Sequence, residues 1–302
     1  MKKERVLITG CGGMLGQAVY SVFTEKYKNV LATDIDLNES WLSRMDVRDI
    51  YECEKTFIAF KPDIVLHLAA LTDLEYCESN PDDTWGTNSL GTENIALLAK
   101  KYNPLMINIS TAGIFGGEKE FYSDFDFPNP LNYYAKSKYH GECFVEKYLS
   151  KYFTFRAGWM MGGGIKKDKK FINKIYAQIK SGKTELFVVD DKFGTPTYTF
   201  DFAKAISKVI ETEFYGTYNQ VCSGHCNRFE VATEFINLLD LSNKIKITTV
   251  NSNFLIKEYF APRPHSEQLI NLKLITRGIN YMRDWKVCLK EYSKSFKSDL
   301  EK

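Results

Sequence analysis

The chain has 302 residues, 44% of them hydrophobic and 26% charged, with a formal net charge of +2. That length can bury ample core as one large domain or two smaller ones, and the near-neutral charge gives no overall pull toward nucleic acid or a membrane surface. The apolar run Val6 to Ile8 is too short for a signal-peptide core, and no stretch reaches the roughly 18 apolar residues of a bilayer span, so a cytoplasmic location is expected. The seven cysteines are scattered and read as reduced thiols. Cys222, His225 and Cys226 lie close in sequence but no second Cys/His pair is near them, and no metal is expected.

Val6-Leu7-Ile8-Thr9 reads as a β-strand that leads into Gly10-Cys11-Gly12-Gly13-Met14-Leu15-Gly16, and a helical pattern then runs to about Glu25. Glycines 10, 13 and 16 between a strand and a helix have a physical use. The first turns the chain tightly, the second lets a pyrophosphate approach the backbone, and the third lets helix pack on strand. The helix start, with Met14 and Leu15 leading into it, would face the phosphates with unpaired N–H groups. A second strand, Asn29 to Thr33, ends at Asp34, where a carboxylate is placed to bond the ribose hydroxyls of an adenosine. It would also repel a 2′-phosphate, and Ile35, Asp36 and Leu37 follow it rather than arginine. NADH is therefore favoured over NADPH; the alternative is that Asp34 is a plain turn residue.

In the next loop Asp46 or Val47 can touch the adenine, and Asp49 can cap a helix from about Ile50 to Phe60 that Pro62 stops. Asp63 to Ala70 is a continuous apolar run, the pattern of a parallel strand buried on both faces. Leu68, Ala69 and Ala70 close it where a cofactor can pass near, with Thr72 beyond, and His67 reads as a core histidine. A long helix is expected from about Asp82 to Lys101, with Asn88 in a supporting role or simply at the surface.

Leu105 to Ile109 forms the next strand and ends in Ser110-Thr111, at the strand end where open α/β sheets bind ligands. A Pro-containing loop delivers the helix that begins near Asn132-Tyr133-Tyr134-Ala135-Lys136-Ser137-Lys138. Tyr134 and Lys138 are spaced to share one helix face, so a phenol stands beside an ammonium that favours the phenolate and lowers its pKa. Another strand spans Phe153 to Arg156. Repeated strand-helix units imply an α/β fold, a doubly wound parallel sheet (Rossmann).

Beyond it the rhythm loosens. A glycine-rich loop from Gly158 to Gly164 carries Trp159, and Lys166 to Lys170 reads as the solvated start of a helix from about Phe171 to Ser181. A strand at Leu186 to Val189, a helix at Asp201 to Ile210, a strand at Gly216 to Val221, a helix at Phe229 to Leu239 and a helix from about Trp285 follow. The dinucleotide-binding domain is expected at 1–157 plus about 190–222, and a smaller C-terminal substrate-binding cap at about 158–189 and 223–302.

These segments together resemble the extended short-chain dehydrogenase/reductases acting on nucleotide-sugars, and within them the dTDP-4-dehydrorhamnose reductase branch. The glycine motif and the Tyr134/Lys138 pair carry the superfamily likeness; Phe193-Gly194-Thr195-Pro196-Thr197 and Arg263-Pro264 carry the branch. The resemblance implies a nicotinamide cofactor (NADH or NADPH), a nucleotide-diphosphate sugar with a C4 ketone, and a homodimer as an allowed assembly. It further implies that Thr111 bonds the carbonyl oxygen, Tyr134 protonates it and Lys138 holds the nicotinamide ribose. Trp159 would cover sugar or nicotinamide and Arg263 would pair with the diphosphate, unless the first is plain packing and the second a surface residue. The chain departs from the branch after Ser110-Thr111, where Ala112-Gly113-Ile114-Phe115 follows. Two rivals stand beside the reductase: an epimerase or dehydratase of the same superfamily, and a non-catalytic NADP(H)-binding regulatory subunit.

Overall fold

The structure is a computed structural model and describes residues 1–301. In chain order the strands are β1 Lys2–Thr9, β2 Tyr27–Asp34, β3 Leu42–Arg44, β4 Ile64–His67, β5 Leu105–Thr111, β6 Phe121–Tyr122, β7 Tyr152–Ala157 and β8 Trp159–Met161. They continue as β9 Glu185–Val189, β10 Phe193–Gly194, β11 Pro196–Tyr198, β12 Gly216–Asn219, β13 Cys226–Asn227, β14 Lys246–Val250 and β15 Ser266–Leu269. The helices are α1 Gly16–Lys26, α2 Ile50–Phe60, α3 Leu74–Ser79, α4 Pro81–Trp85, α5 Gly91–Tyr102 and α6 Tyr133–Tyr148. The later ones are α7 Gly164–Lys167, α8 Phe171–Lys180, α9 Thr199–Val209, α10 Arg228–Leu238, α11 Leu272–Thr276 and α12 Trp285–Leu300.

The main sheet has seven strands in the order β12-β7-β5-β4-β1-β2-β3, all parallel. The order reverses direction beside β1, and in such sheets ligands bind at that switch, beyond the carboxyl ends of the strands. Helices must therefore cover both faces. In β1, Val6 and Ile8 face one buried cluster, with Phe23 of α1 and Phe202 of α9, while Leu7 faces the other, with Phe57 of α2 and Ile95 of α5. That alternation is the period-2 geometry of a strand with core on both sides. Asp49 caps α2, accepting the amides of Tyr51 and Glu52 at 2.9 and 3.1 Å.

Around the open end lie three smaller sheets: β13-β10-β15-β6, β8 with β11, and β9 with β14. The Thr195-Pro196-Thr197 segment stitches them to the main sheet. Thr195 accepts the Leu269 amide at 3.1 Å, and Thr197 accepts the Gly158 amide at 2.9 Å.

One difference from the expected elements matters. The long helix around Asn88 is three pieces, α4, a π-helical turn Gly86–Leu90, and α5. The π turn carries Asn88, whose side chain meets the loop that follows β4, and such turns are frequent at functional sites. Its Oδ1 accepts the Leu71 amide at 2.8 Å and its Nδ2 donates to the Leu71 carbonyl at 2.9 Å. The cysteines near His225 do not converge: Cys222 Sγ lies 3.7 Å from Cys288 Sγ, and Cys226 Sγ faces the Gly194 carbonyl at 3.8 Å.

Candidate active site

A cleft of about 1400 Å³ runs across the carboxyl ends of the strands, from the glycine turn to the cap. Pockets for one small ligand are typically about 300–1,000 Å³, so this one has room for two. Of the residues singled out in the sequence, Gly10, Gly13, Met14, Leu15, Asp34, Asp46, Val47 and Leu68 to Ala70 line it on one side. Thr72, Thr111, Tyr134, Lys138, Trp159 and Arg263 line the remainder. Gly16 and Asn88 stand behind the wall.

The turn can only be made of glycine. Gly10 has φ 67°, and a Cβ there would stand 2.3 Å from the Ala69 backbone. A Cβ on Gly16 would overlap the Cys11 carbonyl oxygen at 1.8 Å, so this glycine closes helix onto turn instead of facing a ligand. In front of Gly13 the space is open, with only the Gly10 carbonyl within reach at 3.6 Å. Among the described residues, no acceptor meets the amides of Gly13, Met14 and Leu15. Open space and free amides at a helix start fit a dinucleotide's diphosphate. Asp34 lies beside the turn and accepts the Gly12 amide at 2.8 Å and the Asp36 amide at 3.0 Å. Asp46 is held by Arg48, at 2.7 Å from Nη2.

At the middle of the cleft, β5 delivers Thr111 and α6 delivers Tyr134 and Lys138. The helix start is fixed from both ends of Asn132, whose Oδ1 accepts the Ala135 amide at 2.8 Å while its Nδ2 donates to the Pro262 carbonyl at 2.7 Å. Ser137 bonds both the Tyr134 carbonyl at 2.8 Å and the Asn88 amide at 3.1 Å, tying α6 to the π turn. The expectation that Lys138 lowers the Tyr134 pKa is not met in the free protein. Burial pushes the Tyr134 phenol up to about 12, against the opposing pull of a hydrogen bond with Thr111. Burial likewise pushes Lys138 down to about 8, with the Glu142 carboxylate one turn on working against it. Both groups are enclosed together, and enclosure penalises the charged form of each. His67 is the core histidine expected: wholly buried, held by Thr9 at 2.8 Å and Thr92 at 3.0 Å, and pushed down to about 3 by burial.

The cap wall is built from charge and rings. Trp159 donates its indole N–H to Glu267 at 2.7 Å. Its ring lies so close on Gly194 that a Cβ there would be 2.2 Å from the indole, which explains the glycine of the Phe-Gly-x-Pro-Thr segment. Arg228 was missed from the sequence: its guanidinium stacks 3.5 Å over Trp159 and 4.8 Å from Phe171, facing the cleft. Arg228 makes no hydrogen bond or ion pair among the described residues, and burial pushes it down to about 10 against the opposing charge of Glu267. Arg263, by contrast, is already committed, forming a two-pronged pair with Glu75 at 2.7 and 3.0 Å. The lysine run also departs from the solvated reading. Lys166 is exposed, but the Lys167 side chain is only 8% exposed, and Lys170 donates to the Thr72 carbonyl at 2.7 Å.

Residues 4–298 match the family model described as the RmlD substrate binding domain. The chain belongs to that family, within the extended short-chain dehydrogenase/reductases. Its relatives include the spore coat polysaccharide biosynthesis protein SpsK of Bacillus subtilis (strain 168), 30% identical over 95% of this chain and 96% of that one. A dTDP-4-dehydrorhamnose reductase from Yersinia enterocolitica superposes with a TM-score of 0.85 at 35% identity, covering 97% of this chain and 100% of that chain. One from Bacillus anthracis, solved in complex with NADP, gives a TM-score of 0.86 at 30% identity, covering 96% and 99%. This family membership places the chain among nicotinamide-dependent oxidoreductases. No helix among the described residues is long and apolar enough to cross a membrane.

Proposed function

We propose that this protein is an NAD(P)H-dependent reductase of a nucleoside-diphosphate-linked 4-keto-6-deoxysugar, acting in deoxysugar synthesis of the L-rhamnose type. The observation that carries the reading is the placement of Thr111, Tyr134 and Lys138 midway along one cleft. A phosphate-accepting glycine turn stands at one end and a cationic, ring-lined cap at the other. When bound, the nicotinamide supplies the hydride. Thr111 would bond the ketone oxygen, and Tyr134, held protonated by burial, would donate its proton as that oxygen gains negative charge. Lys138 would orient the cofactor and, as its charge becomes better compensated, stabilise the tyrosinate left behind.

For the substrate's diphosphate, Arg228 is better placed than its position in sequence suggests, because it makes no direct ion pair whereas Arg263 is occupied by Glu75. A guanidinium with no direct ion pair, held between two rings with only the nearby charge of Glu267 to balance it, can accept an anionic ligand. Trp159, locked by Glu267 and Gly194, would floor the sugar. We place the division of labour at residues 1–157 with about 190–222 for the dinucleotide and at about 158–189 and 223–302 for the substrate, and the protein in the cytoplasm, where its unpaired cysteines stay reduced.

The test is purified protein with NADPH or NADH and a panel of dTDP- and UDP-linked 4-keto-6-deoxysugars, followed by loss of absorbance and product analysis at C4. Stoichiometric oxidation with a dTDP-keto-sugar supports the proposal. Tight cofactor binding without turnover on any keto-sugar would instead mark a binding subunit.

A further inference from the structure

The carboxylate of Glu267 stands where the middle of the cleft meets the cap. β15 carries it, between β10 and β6, and Gly194 of β10 is its partner across the ladder. Its Oε2 is spent on the Trp159 indole N–H at 2.7 Å, and its Oε1 makes no hydrogen bond among the described residues. Glu267 lines the cleft, and the space that Oε1 faces lies in front of Gly113. A Cβ on Gly113 would stand 3.3 Å from Glu267 Oε1 and 3.5 Å from Thr111 Oγ1, so the two oxygens flank one small space. Gly113 is not in the left-handed region, so what its missing side chain supplies is room. This is also the stretch where the chain departs from the reductase branch.

The charge of Glu267 reaches Tyr134 on one side, adding to the upward push on the phenol, and Arg228 on the other, yet the carboxylate makes no hydrogen bond to either. An ionised carboxylate is an acceptor only, and a bond that it accepts from a hydroxyl is charge-assisted. A ketone whose oxygen bonds Thr111 brings the adjoining ring carbons in front of Gly113, within the reach of Glu267. In a 4-keto-6-deoxysugar, C5 already carries the methyl branch and the ring oxygen, so C3 is the neighbour of the ketone that can hold a hydroxyl. A diphosphate drawn to Arg228 would also divert that cation from Glu267, leaving the carboxylate in greater need of a donor.

We propose that Glu267 determines which sugar is accepted, taking the C3 hydroxyl on Oε1 while Oε2 holds Trp159 beneath the ring. The inference rests on the reading of this cleft as a 4-keto-6-deoxysugar site, and it narrows that class to sugars that keep a hydroxyl at C3. A 3-deoxy sugar is rejected because it covers the free carboxylate oxygen without offering a proton, so the protein loses its contact with water and gains none in return.

The test compares dTDP-4-keto-6-deoxyglucose with its 3-deoxy analogue, using the full chain and reduced nicotinamide cofactor, for the wild type, Glu267→Gln and Glu267→Ala. The affinity for dTDP alone, by calorimetry, reports on the rest of the substrate site. In the wild type kcat/KM should favour the hydroxylated sugar roughly ten- to a hundredfold, the range of one hydrogen bond to a charged group. Glu267→Gln keeps an acceptor for the Trp159 indole and deletes the charge. It should reduce the ratio by slowing the hydroxylated sugar alone, with dTDP affinity unchanged. Glu267→Ala should abolish the ratio and add a loss common to both sugars, because Trp159 is released. A wild type that reduces both sugars equally well overturns the proposal, however the variants fold. An unchanged ratio in Glu267→Gln overturns it too, including one reached through equal losses on both sugars, and leaves Glu267 as a support for Trp159. A wild type that binds cofactor but turns over neither sugar overturns the reductase reading and this proposal with it.

Discussion

The two walls of the cleft are made of different material. On the side of the glycine turn the surface is backbone, with Gly10 and Gly13 giving room and the amides of Gly13 to Leu15 giving donors. On the cap side it is long side chains held in pairs and stacks: Trp159 by Glu267, Arg263 by Glu75, Arg228 by the Trp159 and Phe171 rings. A backbone wall tolerates almost no change at its special positions and recognises what all dinucleotides share. A side-chain wall can be re-pitched residue by residue, which suits the part that must tell one sugar nucleotide from another.

The largest effect should come from filling the backbone wall. In Gly10→Ala the new methyl would meet the Ala69 backbone at 2.3 Å, on a residue with φ 67°. Left-handed backbone alone costs a non-glycine residue about 1–2 kcal/mol, and the overlap adds to it. Cofactor binding should fall below detection, with a lowered melting temperature. An alanine variant that bound NAD(P)H normally would break the contrast between the walls at once.

Next is the group between the walls. Tyr134→Phe removes only the phenol oxygen and should lower kcat by about 10²–10⁴-fold. Cofactor affinity should hold, because the ring stays in place. A variant that retained full rate would show that the proton comes from elsewhere.

Third is the cap. Arg228→Met keeps a stem between Trp159 and Phe171 and deletes the unpaired cation. The expected result is a rise in KM for the sugar nucleotide of roughly ten- to a hundredfold, the worth of a charge-assisted contact. The affinity for NAD(P)H should stay level. Equal losses for both ligands would mean that the walls do not divide the work as argued.

The same contrast decides what could be read from the sequence. The glycine turn, Asp34, Thr111 and the Tyr134/Lys138 pair were legible because each is a local pattern, fixed by spacing within a strand-turn-helix or a single helix turn. The cap's pairs carry no such pattern. Arg263 and Glu75 are 188 residues apart, and Trp159 and Glu267 are 108 apart, so only the fold reveals that they meet. Arg228 had no signal at all, sitting at the first position of an ordinary capped helix. The π turn at Gly86–Leu90 was hidden for a different reason: its residues keep helical character and only the hydrogen-bond register widens. Short strands such as β3 and β13 have too few residues to show a period. The pKa expectation for Tyr134 erred because sequence spacing reports a neighbouring charge but not enclosure, and enclosure dominates here.

The smallest predicted effect follows from that enclosure. Lys138 falls to about 8 in the folded, cofactor-free protein from its usual 10.5. A lysine whose folded pKa is depressed binds its proton more weakly than the unfolded chain does. Between about pH 8 and 10.5 the unfolded state therefore carries the extra proton, and stability from this residue rises with pH, by at most about 1.4 kcal/mol per pH unit. Tyr134 acts in a higher window and with the opposite sign. Its folded pKa is raised from 10.0 to about 12, so its contribution is intact below pH 10.0 and is lost above it. Lys26 and Lys170, also depressed by burial, share the sign of Lys138, so the wild type alone cannot isolate it. Lys138→Met isolates it. The stability of the wild type relative to that variant, from urea unfolding without cofactor, should climb from pH 8 to pH 9.5. A difference that stayed flat would show that Lys138 keeps its proton in the folded state, held by Glu142, and that the middle of the cleft is less enclosed than its geometry implies.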